Sequence, residues 1–392
     1  MIKGKSKQKV YFSLCNIISI FNKFIPKSKN KILFFSSNTI SDNSKALLDY
    51  MLDNNFNKNY KIVCSAKSHH DYLKDKNNIV LSTPIKGIFH ILTSKYIFFH
   101  GEIIAIKPSK KQVSINLWHG TPLKKFNKLA DKLSDYKYNF FTYLLASSEY
   151  FKPVMKECFD CNINQVKVLG HPRNDLLFKK SDILASLGIS RKNYNKIFLW
   201  MPTFRVSKDK YIVDIDDSLR TETGLPIFST ENDLIELNNF LVSVNGIIII
   251  KLHPAQNLDF INIASLSNIK FLMNSDIEYN NYHLYNLVAQ CDSLITDYSS
   301  IYFDYLLLDR PIGFTIDDIE SYRRNRGFII DNPESLMPGM KIRNIQDFKD
   351  FISNTINNID TYSDERKKIN DLANKYQDDN NCKRIIELVK LK

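Results

Sequence analysis

The chain has 392 residues, 44% of them hydrophobic and 24% charged, which excludes a disordered or collagen-like polypeptide and leaves room for two domains, each with its own core. Lys and Arg outnumber Asp and Glu by 54 to 42, a net charge of +12 that invites anionic partners, yet no stretch interleaves basic and aromatic residues as nucleic-acid readers do, so no nucleic acid is expected. Six scattered cysteines, with Cys158 and Cys161 the only close pair and no His-x3-His nearby, read as reduced cytoplasmic thiols, and no metal site is predicted from them.

At the N-terminus, Lys3, Lys5, Lys7 and Lys9, then Lys23, Lys27, Lys29 and Lys31, flank residues 10–25, where Leu14, Ile17, Ile18, Phe21 and Ile25 fall at helical spacing. This stretch is too short and too interrupted to span a bilayer, which takes ~20 apolar residues. Residues 1–30 are therefore expected to form a basic amphipathic segment on an anionic membrane surface. Packing as a core helix is the competing reading. A cleaved signal is disfavoured, because the following Pro26-Lys27-Ser28-Lys29-Asn30 offers no small-residue cleavage site.

Apolar strand-like runs follow at 32–35, 61–64, 78–81, 96–99, 113–117, 140–146 and 166–169, with helical stretches near 43–54, 68–75 and 85–93. Such alternation predicts a parallel sheet covered by helices on both faces. A second cycle has strands at 196–201, 246–252, 270–272, 291–296 and 311–314, a loop over the cleft at 206–228, and helices after 343. The predicted fold is α/β, with two doubly wound Rossmann-like domains over 31–190 and 191–345 facing a central cleft, and C-terminal helices over 346–392.

Polar segments sit where strands end, and in open α/β sheets ligands gather at the carboxyl ends of strands. Trp118-His119-Gly120-Thr121-Pro122 delivers a histidine to a turn where Gly120 permits close approach of a ligand. Lys251-Leu252-His253-Pro254 ends a run of four isoleucines, and alternation puts Lys251 and His253 on one side. Thr296-Asp297-Tyr298-Ser299-Ser300 leads into a helix start, where Asp297 or Ser299 is a natural N-cap and the serine hydroxyls are suited to phosphate oxygens. Thr203 and Arg205, in Pro202-Thr203-Phe204-Arg205, leave the first strand of the second domain, and the arginine is suited to bidentate phosphate binding. Asp304 is either a surface charge or a ribose ligand. Gly170-His171-Pro172-Arg173-Asn174-Asp175 ends the first domain and is read as shaping the hinge and cleft through His171 and Arg173. Together these residues point to attack on, or departure from, a phosphate.

In order along the chain, Asn116 to Pro122, Ala146-Ser147-Ser148, Gly170 to Asp175, Pro202 to Arg205, Lys251 to Pro254 and Thr296 to Ser300 with Phe303-Asp304 resemble the motifs of the CDP-glycerol glycerophosphotransferase family over about 110–330. The resemblance implies a GT-B-like arrangement and a donor such as CDP-glycerol or a related CDP-polyol. It implies an acceptor hydroxyl on a lipid-linked or oligomeric glycan or polyol phosphate, release of CMP, and peripheral attachment to the cytoplasmic face of the membrane in teichoic-acid or capsule synthesis. By the same resemblance His119 is the general base, His253 contacts the donor pyrophosphate, and Thr203, Arg205, Lys251, Asp297, Ser299, Ser300 and Asp304 serve the CDP end. No cofactor is required; Asp214-Ile215-Asp216-Asp217 leaves a divalent metal open. Two other readings are a GT-B glycosyltransferase using a nucleotide sugar and a non-catalytic surface-polymer-binding protein.

Overall fold

Apolar runs bounded by polar turns become parallel strands buried on both faces, because the crossover helices cover both sides of the sheet. The computed structural model describes residues 2–130, 137–202, 222–251, 266–278 and 281–392. The chain forms two compact units, Met1–His119 with Asn127–Leu176 and Lys375–Lys392, and Gly120–Phe126 with Leu177–Asn374.

Among the described residues the first unit holds a seven-stranded sheet of β1 (Ser28–Phe35), β2 (Lys61–Ser65), β3 (Ile79–Ser82), β4 (Ser94–Phe99), β5 (Val113–Asn116), β6 (Tyr143–Ala146) and β7 (Val166–Val168), in the order β3-β2-β1-β4-β5-β6-β7. Every pair is parallel, with Ile32 beside Ile62 and Phe34 beside Phe98 fixing the register at the centre. The order reverses between β1 and β4, so the crevice at their carboxyl ends is the natural ligand site of this unit. Leu47, Leu48 and Met51 of the helix Asp42–Asp53 cover one face together with Cys382, Ile385 and Ile386 from the chain end.

The second unit, among the described residues, holds a six-stranded parallel sheet of β8 (Lys196–Met201), β9 (Gly246–Lys251), β10 (Ile269–Leu272), β11 (Ser293–Thr296), β12 (Ile312–Thr315) and β13 (Met340–Ile342), ordered β10-β9-β8-β11-β12-β13. Trp200, Phe228 and Phe348 interlock edge to face with centroids 4.9 to 5.5 Å apart, a geometry that suits the ring quadrupoles. Here the order reverses between β8 and β11.

Most expected strands are present within a residue or two of their bounds. The helix expected near 68–75 is a single 3-10 turn, Asp71–Leu73, and β13 was not anticipated, being three residues long with a lysine at its centre. The expected grouping of 346–392 divides: residues up to Asn374 pack in the second unit and Lys375–Lys392 in the first. The physical reason is the Asp175 carboxylate, which accepts the backbone N–H groups of Asn381 and Cys382 at 2.9 Å each and so caps the last helix, Asn381–Val389.

The N-terminal helix α1 (Ile2–Asn22) packs with its small and polar side. Cys15, Ser19 and Asn22 are buried, and Asn22 donates to the Lys107 carbonyl at 3.0 Å and to Gln112 at 2.8 Å. Its large apolar side chains Leu14, Ile17, Ile20 and Phe21 are exposed; of the expected stripe, Ile18 and Ile25 are half-buried. A second helix, Pro84–Thr93, turns Gly87 and Ile91 inward and leaves Ile85, Ile88 and Phe89 exposed. Lys27 bridges the two, donating to the carbonyls of Asn22 and Leu92.

Candidate active site

In the first unit three chain segments meet at the carboxyl side of the sheet. From β5 the chain makes a left-handed turn at Trp118, with φ of +53°. Asn116 Oδ1 accepts the Trp118 N–H at 2.9 Å, and the next residue, His119, carries its ring against the indole at a centroid distance of 3.8 Å. Trp118 is itself buried and held edge-on by Phe159 at 4.8 Å. The His119 ring stays exposed. From β4 come His100 and Gly101; a Cβ on Gly101 would stand 3.3 Å from His119 Nδ1, and its φ of +65° lies in the left-handed region that favours glycine. From β1 the chain enters the helix Asp42–Asp53, which places three successive polar side chains. Asp42 pairs with the Arg173 guanidinium at 2.7 Å, Asn43 reaches the Trp118 carbonyl at 2.8 Å, and the Ser44 hydroxyl meets His100 Nδ1 at 2.9 Å.

The electrostatics favour a neutral imidazole. Desolvation by surrounding protein lowers the His119 pKa from 6.5 to about 4; Arg173, His100 and His171 push the same way, and Asp42 opposes them. The ring keeps a water-accessible face that screens part of the desolvation, so the direction, and with it the neutral form at pH 7, is what the geometry supports. His100 is also lowered by burial. A neutral, accessible histidine can accept a proton.

His171 and Arg173 are buried in the same unit, close enough to His119 to act on its charge. Gly170, with φ of +75°, passes so near Asn381 that a Cβ would lie 2.1 Å from its side-chain oxygen. The Gly170 to Asp175 motif therefore joins the start of one helix to the start of another inside the first unit. Gly120 takes φ of +128° and Thr121 is buried; both belong to the second unit.

In the second unit the segment after β11 lies beside the end of β8. The Thr296 hydroxyl donates to the Met201 carbonyl at 2.8 Å, and Asp297 is fully buried. Tyr298 is driven inward, its ring tilted against Tyr322 with centroids 4.4 Å apart and its hydroxyl donating to Asp318 at 2.9 Å. That anchor leaves Ser299 and Ser300 half-buried at the start of the short helix Ile301–Tyr305. Neither Asp297 nor Ser299 is the N-cap: Ser300 holds that position, in helical conformation and without a side-chain cap bond. Asp304 is not a surface charge, since it is fully buried and accepts the Tyr285 hydroxyl at 2.5 Å. Lys251 ends β9 and is buried. His253, Thr203 and Arg205, and the acidic run 214–217, lie outside the described residues.

Among the described residues no group of three or more His, Cys, Asp or Glu side chains is placed to hold a metal ion. Burial pushes the Cys158 thiol up to about 12 and Cys161 to about 11, which disfavours their thiolates. Sequence reasoning missed Asp42, Asn43, Ser44, His100 and Gly101. For His100-Gly101 the signal was present, a His-Gly pair at a strand exit like that of His119-Gly120.

Known proteins resemble the chain over most of its length. The chain is 28% identical over 386 residues to the teichoic acid poly(glycerol phosphate) polymerase of Bacillus spizizenii, covering 91% of this chain and 92% of that protein. It is 28% identical over 406 residues to the teichoic acid glycerol-phosphate primase of Bacillus subtilis, covering 97% and 96%. In fold it matches a structure of the wall teichoic acid polymerase TagF with a TM-score of 0.75 at 19% identity, over 99% of this chain and 96% of that one, which bears out the GT-B-like pair of Rossmann-like units. A UDP co-structure of Staphylococcus aureus MnaA shares the fold more distantly, with a TM-score of 0.53 at 12% identity over 93% and 96%. The model of one family, CDP-Glycerol:Poly(glycerophosphate) glycerophosphotransferase, matches residues 17–391, and the chain belongs to that family.

Proposed function

We propose that the chain, a transferase of a CDP-activated polyol phosphate to a teichoic-acid-like acceptor, uses His119 as its general base and carries glycerol phosphate in preference to ribitol phosphate. The neutral His119 imidazole takes the proton of an acceptor hydroxyl as its oxygen attacks the polyol-side phosphorus of the donor. A new phosphorus–oxygen bond forms, the bond to CMP breaks, and CMP departs with the electron pair. Charge building on the leaving group is met by donors already in place rather than by reorganising water. Ser299 and Ser300 are suited to this task, because Tyr298 anchors their segment from inside while their own hydroxyls make no hydrogen bond among the described residues. Arg205, Thr203, Lys251 and His253 complete the donor set in this reading. The observation that carries the proposal is the exposed His119 ring on a turn held by Asn43 and Asn116, with desolvation acting to lower its pKa.

Among the described residues no helix is long and apolar enough to cross a membrane. The exposed apolar faces of α1 and of the helix Pro84–Thr93, flanked by lysines and joined through Lys27, support peripheral attachment to an anionic membrane surface on its cytoplasmic face, where a lipid-linked acceptor would be found. Purified protein incubated with CDP-glycerol, CDP-ribitol or UDP-sugars and a lipid-linked or oligomeric acceptor is expected to release CMP from CDP-glycerol fastest. His119→Ala is expected to slow that release by ~10²–10⁴ with donor affinity nearly unchanged. Release of UDP instead of CMP would move the chain to nucleotide-sugar chemistry, and near wild-type single-turnover rates in His119→Ala would remove the base.

A further inference from the structure

We propose that Asn43 is a positioning residue for the catalytic histidine, fixing the left-handed turn from which His119 projects; the inference rests on the reading of His119 as base. Tryptophan in the left-handed region is a backbone outlier, and such a conformation persists only where its surroundings over-determine it. Asn116 holds the N–H side of Trp118. Asn43 holds the carbonyl side, its Nδ2 donating to the Trp118 carbonyl at 2.8 Å and to the Leu117 carbonyl at 3.3 Å. The first of these carbonyls belongs to the peptide that joins Trp118 to His119. Its orientation sets where the imidazole starts.

The amide of Asn43 is fully buried and works with both ends, since its Oδ1 accepts the Arg173 N–H at 3.1 Å. An aspartate of the same size would keep that acceptor but set a carboxylate oxygen against two carbonyl oxygens. An alanine would leave all three groups without this partner. The neighbours on the same helical turn reinforce the placement: Asp42 fixes the Arg173 side chain, and Ser44 fixes His100 on the adjacent strand exit. Thus one turn of helix ties the exits of β1, β4 and β5 together around His119. A displacement near 1 Å in a catalytic group can cost roughly 10²-fold in rate, so loss of this clamp is read in turnover rather than in donor binding.

The test is a double-mutant cycle in the full chain, with single-turnover CMP release from CDP-glycerol measured per folded protein and CDP affinity measured by calorimetry. Asn43→Ala and Asn43→Asp are each expected to slow turnover by ~10–10² with CDP affinity within about threefold of wild type. In the His119→Ala background Asn43→Ala is expected to cost nothing further, because groups acting through one another do not add. Should Asn43→Ala fail to fold, the isosteric Asn43→Asp carries the measurement. Wild-type turnover in that variant, or losses that multiply in the double variant, overturns the role of Asn43 and leaves His119 as base untouched. Wild-type turnover in His119→Ala alone overturns the base, and the positioning role with it.

Discussion

His119 accepts a proton only while neutral, so the lowering of its pKa from 6.5 to about 4 has a direct kinetic sign. As pH falls the imidazole stays unprotonated to lower values than a free histidine would, and kcat/KM should hold until the pH drops below the ordinary 6.5. The acid limb of the kcat/KM profile for CDP-glycerol is therefore expected at an apparent pKa below 6.5; a limb at or above 6.5 assigns it to another group. His119 was legible in the sequence because a His-Gly pair after an apolar run is an unusual way to end a strand. Asp42 and Asn43 were not legible, since a polar triplet at a helix start is fully explained by capping. Their partners Arg173 and Trp118 lie 131 and 75 residues away, a separation that only the folded chain closes. The Thr296 to Ser300 segment was legible as a polar strand exit but not in its anchoring: the inward anchor is Tyr298, whose hydroxyl meets Asp318, a residue with no motif around it.

At the scale of elements, α1 inverts the usual helix, packing Cys15, Ser19 and Asn22 while Ile17, Phe21 and the following Phe24 are exposed at 52%, 62% and 80%. A face of that kind gives little to internal stability, so replacing Ile17 and Phe21 by Asn is expected to leave the thermal midpoint nearly unchanged. The same variant should lose salt-sensitive binding to vesicles of anionic phospholipid, and with it activity on a lipid-linked acceptor more than on a soluble one. Wild-type protein that failed to sediment with such vesicles even at low salt would end the membrane reading. The strands themselves were the most legible elements, because parallel strands covered on both faces read as unbroken apolar runs. β13 escaped for want of length. Its place against β12 depends on Gly339, where a Cβ would meet the Ile312 carbonyl oxygen at 2.1 Å, a constraint that no periodicity encodes.

For the whole molecule, the consequential feature is the return of Lys375–Lys392 to the first unit. Cys382, Ile385, Ile386 and Val389 are all buried there, and each large aliphatic side chain contributes roughly 1.5–3 kcal/mol on burial, against a net stability of about 5–15 kcal/mol for a typical domain. A chain ending at Asn374 should therefore lose the first unit to limited proteolysis while the second resists, and a protease pattern equal to that of the full chain would contradict this. The grouping was not legible in sequence, because the Asp175 carboxylate and the N–H of Asn381 it caps are 206 residues apart. The same return sets the order of events during synthesis. Domains emerging from the ribosome usually fold as they appear, amino-terminal one first. Here the sheet of the first unit waits, its cover incomplete until Lys375–Lys392 have been made and the helix Asn381–Val389 has cleared the exit tunnel. The unit that carries His119 closes after the one that follows it in sequence, and a ribosome stalled before Asn381 would leave bound to it a nascent chain with the second unit folded and the histidine-bearing unit still unclosed.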